Sequence, residues 1–383
     1  MLVAASTATL YQIGMHAAIA SFAIAIQGKS NPSNPHGMIG SLNQPIIGEQ
    51  MPLDFVQGFA AKNAGAVLEP WSYEPTPLGA TEVDVRVTHC GICHTDLHLI
   101  DNDLGVSSYP LVPGHEIVGI VSAVGSEVRD LRAGQRVGVG WQRGSCAACE
   151  WCLNQNENLC AQSRPTCLAG FGGFAHSVRS DSHFAVPIPE GLDSASAAPM
   201  LCAGITVYRP LKRYLKSGYR VGVIGIGGLG HLAIQFARAM GAEVYAISRS
   251  EEKHDEALGF GAHHFIVSRG TAPFAGKLDL ILSTATGDLD WPSWMNALRP
   301  NGTFCLLGAS PGPISLPILP MIFGEFSFTA SVVGSPTRIA DMLQFASENR
   351  INTAVETLPL NEVNLALDKL RRNEARYRMV LTT

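Results

Sequence analysis

RVGVIGIGGLGHLAIQFARAMGAEVYAISRS, Arg220 to Ser250, sets two short apolar runs on either side of a stretch whose apolar residues recur at helical spacing. Short buried strands alternating with a helix are the signature of βαβ units and a parallel sheet. Gly225, Gly227 and Gly230 fall at the first junction. A lone G-x-G-x-x-G says little, but a strand before it and a helix after it make it a dinucleotide fingerprint. Gly225 permits the tight turn, Gly227 lets the backbone approach a pyrophosphate, and Gly230 lets the helix pack closely. Gly228 and Leu229 complete the loop, and the pyrophosphate is expected at the helix N-terminus. LDLILSTA from Leu278 and GTFCLLGA from Gly302 repeat the strand pattern.

The end of the second run bears on which dinucleotide is held. An NAD site of this kind places Asp or Glu about 20 residues beyond the glycine loop, to bind the ribose hydroxyls. Here the run ends in Ser248, followed by Arg249, Ser250 and Lys253. A carboxylate would repel a 2′-phosphate, whereas a hydroxyl, a guanidinium and an ammonium bind it, so NADP(H) is expected. The plainer alternative is that Arg249 and Lys253 are solvated residues at a helix start. Glu251 and Glu252 dilute the positive field.

The chain before Arg220 has a different texture. EVDVRVTHCG alternates with period two, and HEIVGIVSAVG and GQRVGVG continue in short Val/Ile-rich runs broken by glycine, which implies a β-barrel-like domain. CAACEWCLNQNENLC, Cys146 to Cys160, interrupts it with four thiols. The spacing C-x2-C-x2-C-x7-C is that of a closed tetrahedral zinc site built from Cys146, Cys149, Cys152 and Cys160. Bacterial ferredoxins also carry C-x2-C-x2-C runs, but those end in C-x3-C-P and this one does not. A second set of ligand types is scattered: Cys93, His115 with Glu116, and Cys202. Two thiolates and one imidazole, with a position left open, form a catalytic zinc arrangement. Each of these residues alone is weak evidence, since a His beside Glu or a thiol in an apolar run is ordinary.

Composition fits a small-molecule enzyme. The 383 residues are 46% hydrophobic and 15% charged, with a net charge of -5 and no block of Lys or Arg, so nucleic acid and anionic membrane surfaces are not expected partners. Nine cysteines in a chain this long do not look like a disulfide framework, which points to a reducing, cytoplasmic setting. Residues 1–53 carry no Lys or Arg before Lys29, and their most apolar run is shorter than the roughly 20 residues that span a bilayer. They read as a disordered or dispensable extension; a weak targeting segment and a packing arm are the alternatives.

Together GICHTDLH, PGHE, the four-cysteine loop, PMLCAGITVY, VIGIGGLGHLA and ARYRMVL resemble a zinc-dependent medium-chain alcohol dehydrogenase of the cinnamyl alcohol dehydrogenase subfamily. GWQRGSC, PTCLAGFGGFA and LDWPSWMNALRPNG make it most similar to bacterial broad-range NADPH-dependent aldehyde reductases. The resemblance implies a GroES-like β-barrel catalytic domain, 54–203 and 335–383, with a Rossmann doubly wound parallel sheet domain inserted at 204–334. It implies two Zn2+ per chain, a homodimer, and interconversion of primary alcohols and aldehydes by hydride transfer with NADP(H). By the same resemblance Cys93, His115 and Cys202 hold catalytic zinc with Glu116 close by, and Asp96 orients His115. Thr95 hydrogen-bonds the substrate oxygen, His98 passes its proton to solvent, Thr206 contacts the nicotinamide and Arg378 the pyrophosphate. Cys90 is a bystander. Pro165 stands where plant members carry an aromatic residue, so a phenylpropenyl preference is not expected. Spacing places Leu99, Leu104, Val106 and Trp141 near the substrate pocket. An NAD-dependent polyol or secondary alcohol dehydrogenase is the enzymatic alternative, and a zinc-bearing binding protein the non-enzymatic one.

Overall fold

The structure is a computed structural model that describes residues 55–285, 289–308 and 313–383. The extension expected over 1–53 lies outside them.

A six-stranded sheet runs in the order His264–Val267, Glu243–Ser248, Arg220–Ile224, Leu278–Ser283, Leu298–Leu306, Ser327–Ala330. Every neighbouring pair is parallel. Side chains alternate between its faces, so Val244, Ala246, Leu280 and Leu282 enter one core while Tyr245, Ile247 and Ile281 enter another. Burial on both faces is why these strands read as continuous apolar runs. The strand order reverses between Arg220–Ile224 and Leu278–Ser283, and the crevice beyond that point is where doubly wound sheets hold ligands. The glycine loop leaves Ile224 directly into that crevice.

A seven-stranded sheet, largely antiparallel, runs Val355–Pro359, Arg378–Thr382, Glu82–Ile92, Ile117–Val124, Arg136–Val139, Ala185–Pro187, with Ser177–Asp181 also paired to Glu82–Ile92. Its own core includes Val83, Val85, Val87, Val121, Phe174 and Leu381. The C-terminal strand therefore returns to the first half of the chain after the parallel sheet is complete. This is the expected fold class, a GroES-like barrel domain combined with a Rossmann sheet.

Between the two sheets runs a helical segment, Ser194–Pro199, a widened turn Met200–Gly204, and Ile205–Tyr214. Pro199 has no N–H to donate and crowds the carbonyl one turn back, which a widened turn relieves. Such π-type turns recur at functional sites, and this one carries Cys202. One core is shared by Cys93, Val118 and Cys202 with Val221, Val223 and Leu280 of the parallel sheet, so the thiols sit where the two sheets meet. Among the described residues no helix is long and apolar enough to cross a membrane.

Candidate active site

Strand Glu82–Ile92 passes directly into helix His94–Asp101 through Cys93, whose extended backbone makes it the N-cap. Asp96, in the first turn, accepts the Cys93 backbone N–H on Oδ2 at 2.9 Å. Its Oδ1 accepts the Gly114 N–H at 2.9 Å and the His115 Nδ1–H at 3.0 Å. One fully buried carboxylate thus caps the helix, anchors the PGHE turn and fixes the imidazole. His115 Nε2 is left buried with no hydrogen-bond partner. The ligand atoms of Cys93, His115, Glu116 and Cys202 all lie within 4.8 Å of one another.

The electrostatics of this cluster ask for a cation. A hydrogen bond from Cys202 holds the Cys93 thiol well below its ordinary range and pushes Cys202 well above. Burial by itself would lower the His115 imidazole, but the charges of Asp96 and Cys202 outweigh it and raise it well above the usual value. Two sulfurs, an orphaned ring nitrogen and a carboxylate are a fitting donor set for zinc.

Glu116 is engaged from the other side. Arg378 Nη2 donates to its Oε1 and Oε2 at 2.5 and 2.7 Å, and to the Ile92 carbonyl at 2.8 Å. Burial pushes the Glu116 carboxyl up to about 8, against the pull of Arg378. Gly91 is required here, because a Cβ would stand 2.1 Å from Glu116 Oε2. The expected pyrophosphate residue is therefore also the partner of the metal-site carboxylate. Its aliphatic stem still reaches the glycine loop, since a Cβ on Gly228 would meet Arg378 Cδ at 2.7 Å.

The loop itself fits a dinucleotide. Gly225 adopts φ +89°, and a Cβ on Gly230 would lie 1.9 Å from the Gly225 carbonyl oxygen, so only glycine closes that turn. A Cβ on Gly227 would meet nothing within 4 Å, leaving backbone open to a ligand. Ser248 ends its strand as expected, and Arg249 is exposed. Lys253 is no freely solvated residue: its ammonium donates to the Ile226 carbonyl within the loop at 2.6 Å. Thr206 is buried one helical turn past Cys202.

Other expected residues divide. Thr95 Oγ1 lies 3.6 Å from Cys93 Sγ. His98 does not reach the cluster: its ring pairs with Asp103 at 2.9 Å on the exposed side of the helix. The four apolar residues do not form one wall. Leu99 has no exposed surface and packs in a small core with Leu111 and Cys167, while Leu104 is 56% exposed beyond the end of the helix. Val106 and Trp141 are half-buried against that core, and Trp141 sets its ring edge-on to His115 at 5.3 Å. Cys167, not singled out in the sequence, has its thiol within 4.8 Å of Asp96 and His115 ligand atoms. An isolated thiol carries no spacing signal; the return strand Arg164–Pro165 brings it there. Cys90 packs in the barrel core and belongs to neither metal cluster.

Cys146, Cys149, Cys152 and Cys160 gather with their sulfurs within 4.8 Å of one another. Backbone N–H groups of Cys149 and Gln162 point at Cys146 Sγ and Cys160 Sγ, each at 3.3 Å. The amides of Ala148 and Cys149 bring the Cys146 thiol down to about 6, while burial pushes Cys160 up to about 12. Four converging sulfurs with amide support fit a closed zinc site.

Residues 79–190 match the alcohol dehydrogenase GroES-like domain and residues 228–348 the zinc-binding dehydrogenase domain. The aldehyde reductase AdhA of Synechocystis is 44% identical over 331 residues, 85% of this chain and 98% of that protein. The chain belongs to the zinc-dependent medium-chain alcohol dehydrogenases. Within that family it falls in the cinnamyl alcohol dehydrogenase subfamily. The cinnamyl alcohol dehydrogenase SbCAD4 of Sorghum bicolor superimposes with a TM-score of 0.82 at 39% identity, over 86% of this chain and 97% of that one. The enzyme from Helicobacter pylori, solved with NADP(H), gives 0.79 at 30% identity, over 86% and 98%. This medium-chain dehydrogenase is accordingly an enzyme of alcohol and aldehyde oxidoreduction.

Proposed function

We propose that this dehydrogenase is a broad-range, NADP(H)-dependent aldehyde reductase with two zinc ions of unequal role. The observation that carries this is the buried set Cys93, His115, Glu116 and Cys202, with His115 Nε2 unpartnered and Arg378 linking Glu116 to the glycine loop. Cys93, His115 and Cys202 would hold the catalytic ion, with Glu116 beside it; Cys146, Cys149, Cys152 and Cys160 would hold the structural one. When bound, the catalytic zinc supplies a Lewis acid that polarises the substrate carbonyl.

The chain's own residues do the rest. Asp96 keeps the His115 tautomer with Nδ1 protonated and Nε2 free. The Thr95 hydroxyl donates to the oxygen that becomes the alkoxide, and its proton is replaced from solvent. His98 would serve that replacement from the edge of the site, through water, given its pairing with Asp103. Thr206 would back the nicotinamide, which would supply the hydride chemistry when bound. Gly225, Gly227, Gly228, Leu229, Gly230 and Arg378 would seat the pyrophosphate, and Ser248, Arg249 and Lys253 the 2′-phosphate. Val106 and Trp141 would border an apolar pocket suited to aldehydes of moderate size. In this reading 54–203 with 335–383 form the catalytic domain, 204–334 the cofactor domain, and the enzyme works as a cytoplasmic homodimer.

Steady-state kinetics on an aldehyde panel with each cofactor test this. NADPH should exceed NADH in kcat/KM, and the preference should fall on Ser248→Asp combined with Arg249→Ala. Equal use of NADH by the unmutated enzyme would refute the phosphate site.

A further inference from the structure

The cations around the 2′-phosphate site are not all supplied by the parallel sheet. Arg376 precedes strand Arg378–Thr382 of the seven-stranded sheet, yet its guanidinium carbon lies 5.8 Å from the centre of the Tyr377 ring, and Lys253 Nζ lies 5.4 Å from the same centre. Tyr377 is held in place from both sides. It stacks on His231 at 5.2 Å with 16° between the planes, and its hydroxyl donates to Glu256. His231 in turn is tied to the Gly227 carbonyl at 3.0 Å, so this ring pair stands on the glycine loop.

Two nearby carboxylates are already engaged, though Glu256 and Glu252 still raise the Lys253 ammonium by their charge. Glu256 takes the Tyr377 hydroxyl, and Glu356 takes Lys369 at 2.6 Å and the Arg376 backbone N–H at 2.9 Å. Among the described residues the side chains of Arg249, Lys253 and Arg376 have no carboxylate within salt-bridge distance. Burial lowers the Lys253 ammonium first, and Arg376 is the next largest cause, ahead of Arg249. Arg376 is thus felt at Lys253 more strongly than the arginine that sequence spacing selects.

We infer that Arg376, carried by the C-terminal segment of the catalytic half, is a specificity-determining residue that joins Lys253 in binding the cofactor's 2′-phosphate. This rests on the 2′-phosphate site proposed above and adds to it a residue more than 100 positions away. The geometry gives the contact a consequence. Arg376, Tyr377 and Arg378 are consecutive, so a phosphate held at Arg376 steadies the same segment that holds Glu116 in the metal cluster.

Calorimetric titration of the full-length, zinc-loaded protein with 2′,5′-ADP and with 5′-AMP tests this without turnover. Arg376→Ala should weaken 2′,5′-ADP roughly ten-fold, as loss of a charge-assisted contact does, and leave 5′-AMP unchanged. Arg376→Lys should recover most of that affinity. Unchanged 2′,5′-ADP binding, or equal weakening of both ligands, would overturn the inference. Lys253→Ala separates the two layers: if it weakens 2′,5′-ADP while Arg376→Ala does not, only the role of Arg376 fails. If the unmutated protein binds both ligands equally, the whole phosphate site fails.

Discussion

Asp96→Asn is the sharpest perturbation of the metal cluster, because it keeps size and shape while removing one acceptor and the negative charge that acts on His115. Asp96 accepts three hydrogen bonds, from the N–H groups of Cys93 and Gly114 and from His115 Nδ1. An amide offers one oxygen. With that oxygen toward Gly114 and His115, its NH2 faces the Cys93 N–H, donor against donor; turned round, it faces two donors. The first arrangement loses one buried charge-assisted bond and the second loses two. Either arrangement replaces the charged support of the His115 imidazole by a neutral one or removes it, so zinc affinity at this site should fall by the roughly 10- to 100-fold typical of losing a group that orients a metal-bound imidazole. Competition against a chelator of known zinc affinity reads this directly, with the four-cysteine ion as internal control. Affinity unchanged within two-fold would show that Asp96 is a helix cap and nothing more.

Cys149→Ala should impair folding or solubility, seen as a lower yield of soluble protein and a lower melting temperature, because it opens the all-thiolate loop; Cys202→Ala should leave the fold and abolish turnover. Thr95→Ala should lower kcat about 100- to 10,000-fold with KM little changed, as loss of a proton-transfer group does, whereas His98→Ala should cost far less in the same steady-state assay because water substitutes at an exposed position. Burial brings the His231 imidazole down to about 4, so the folded chain refuses a proton that the unfolded chain accepts below its ordinary value. Stability should therefore fall by about 3 kcal/mol between pH 6.5 and 4, and denaturant unfolding should show that slope flattened in His231→Gln.

What the sequence made legible was local. The glycine loop and the four-cysteine loop each confine their constraint to fifteen residues or fewer, so turn, packing and ligand spacing can be read without the fold. The scattered cluster was legible only as residue types, and the resemblance placed them together. The pairing of Glu116 with Arg378 spans 262 positions and exists only because the C-terminal strand returns beside Glu82–Ile92. Leu99 and Leu104 show the limit of spacing. Helix His94–Asp101 turns Leu99 into the core, and the left-handed cap at Asn102 ends the helix so that Leu104 points outward. His98 was displaced by a similar effect, since Asp103, just past that cap, captures its ring.

Hydride transfer should depend on the ion at Cys93, His115 and Cys202 and not on the one at the four-cysteine loop. The rate of NADPH consumption with a simple aldehyde separates the two, followed as zinc is restored stepwise to protein retaining one ion per chain in the closed site. Activity should be absent at one zinc per chain and rise in proportion to the second, reaching its plateau at two. Full turnover at one zinc per chain, with the closed site filled and the cluster empty, would contradict that dependence.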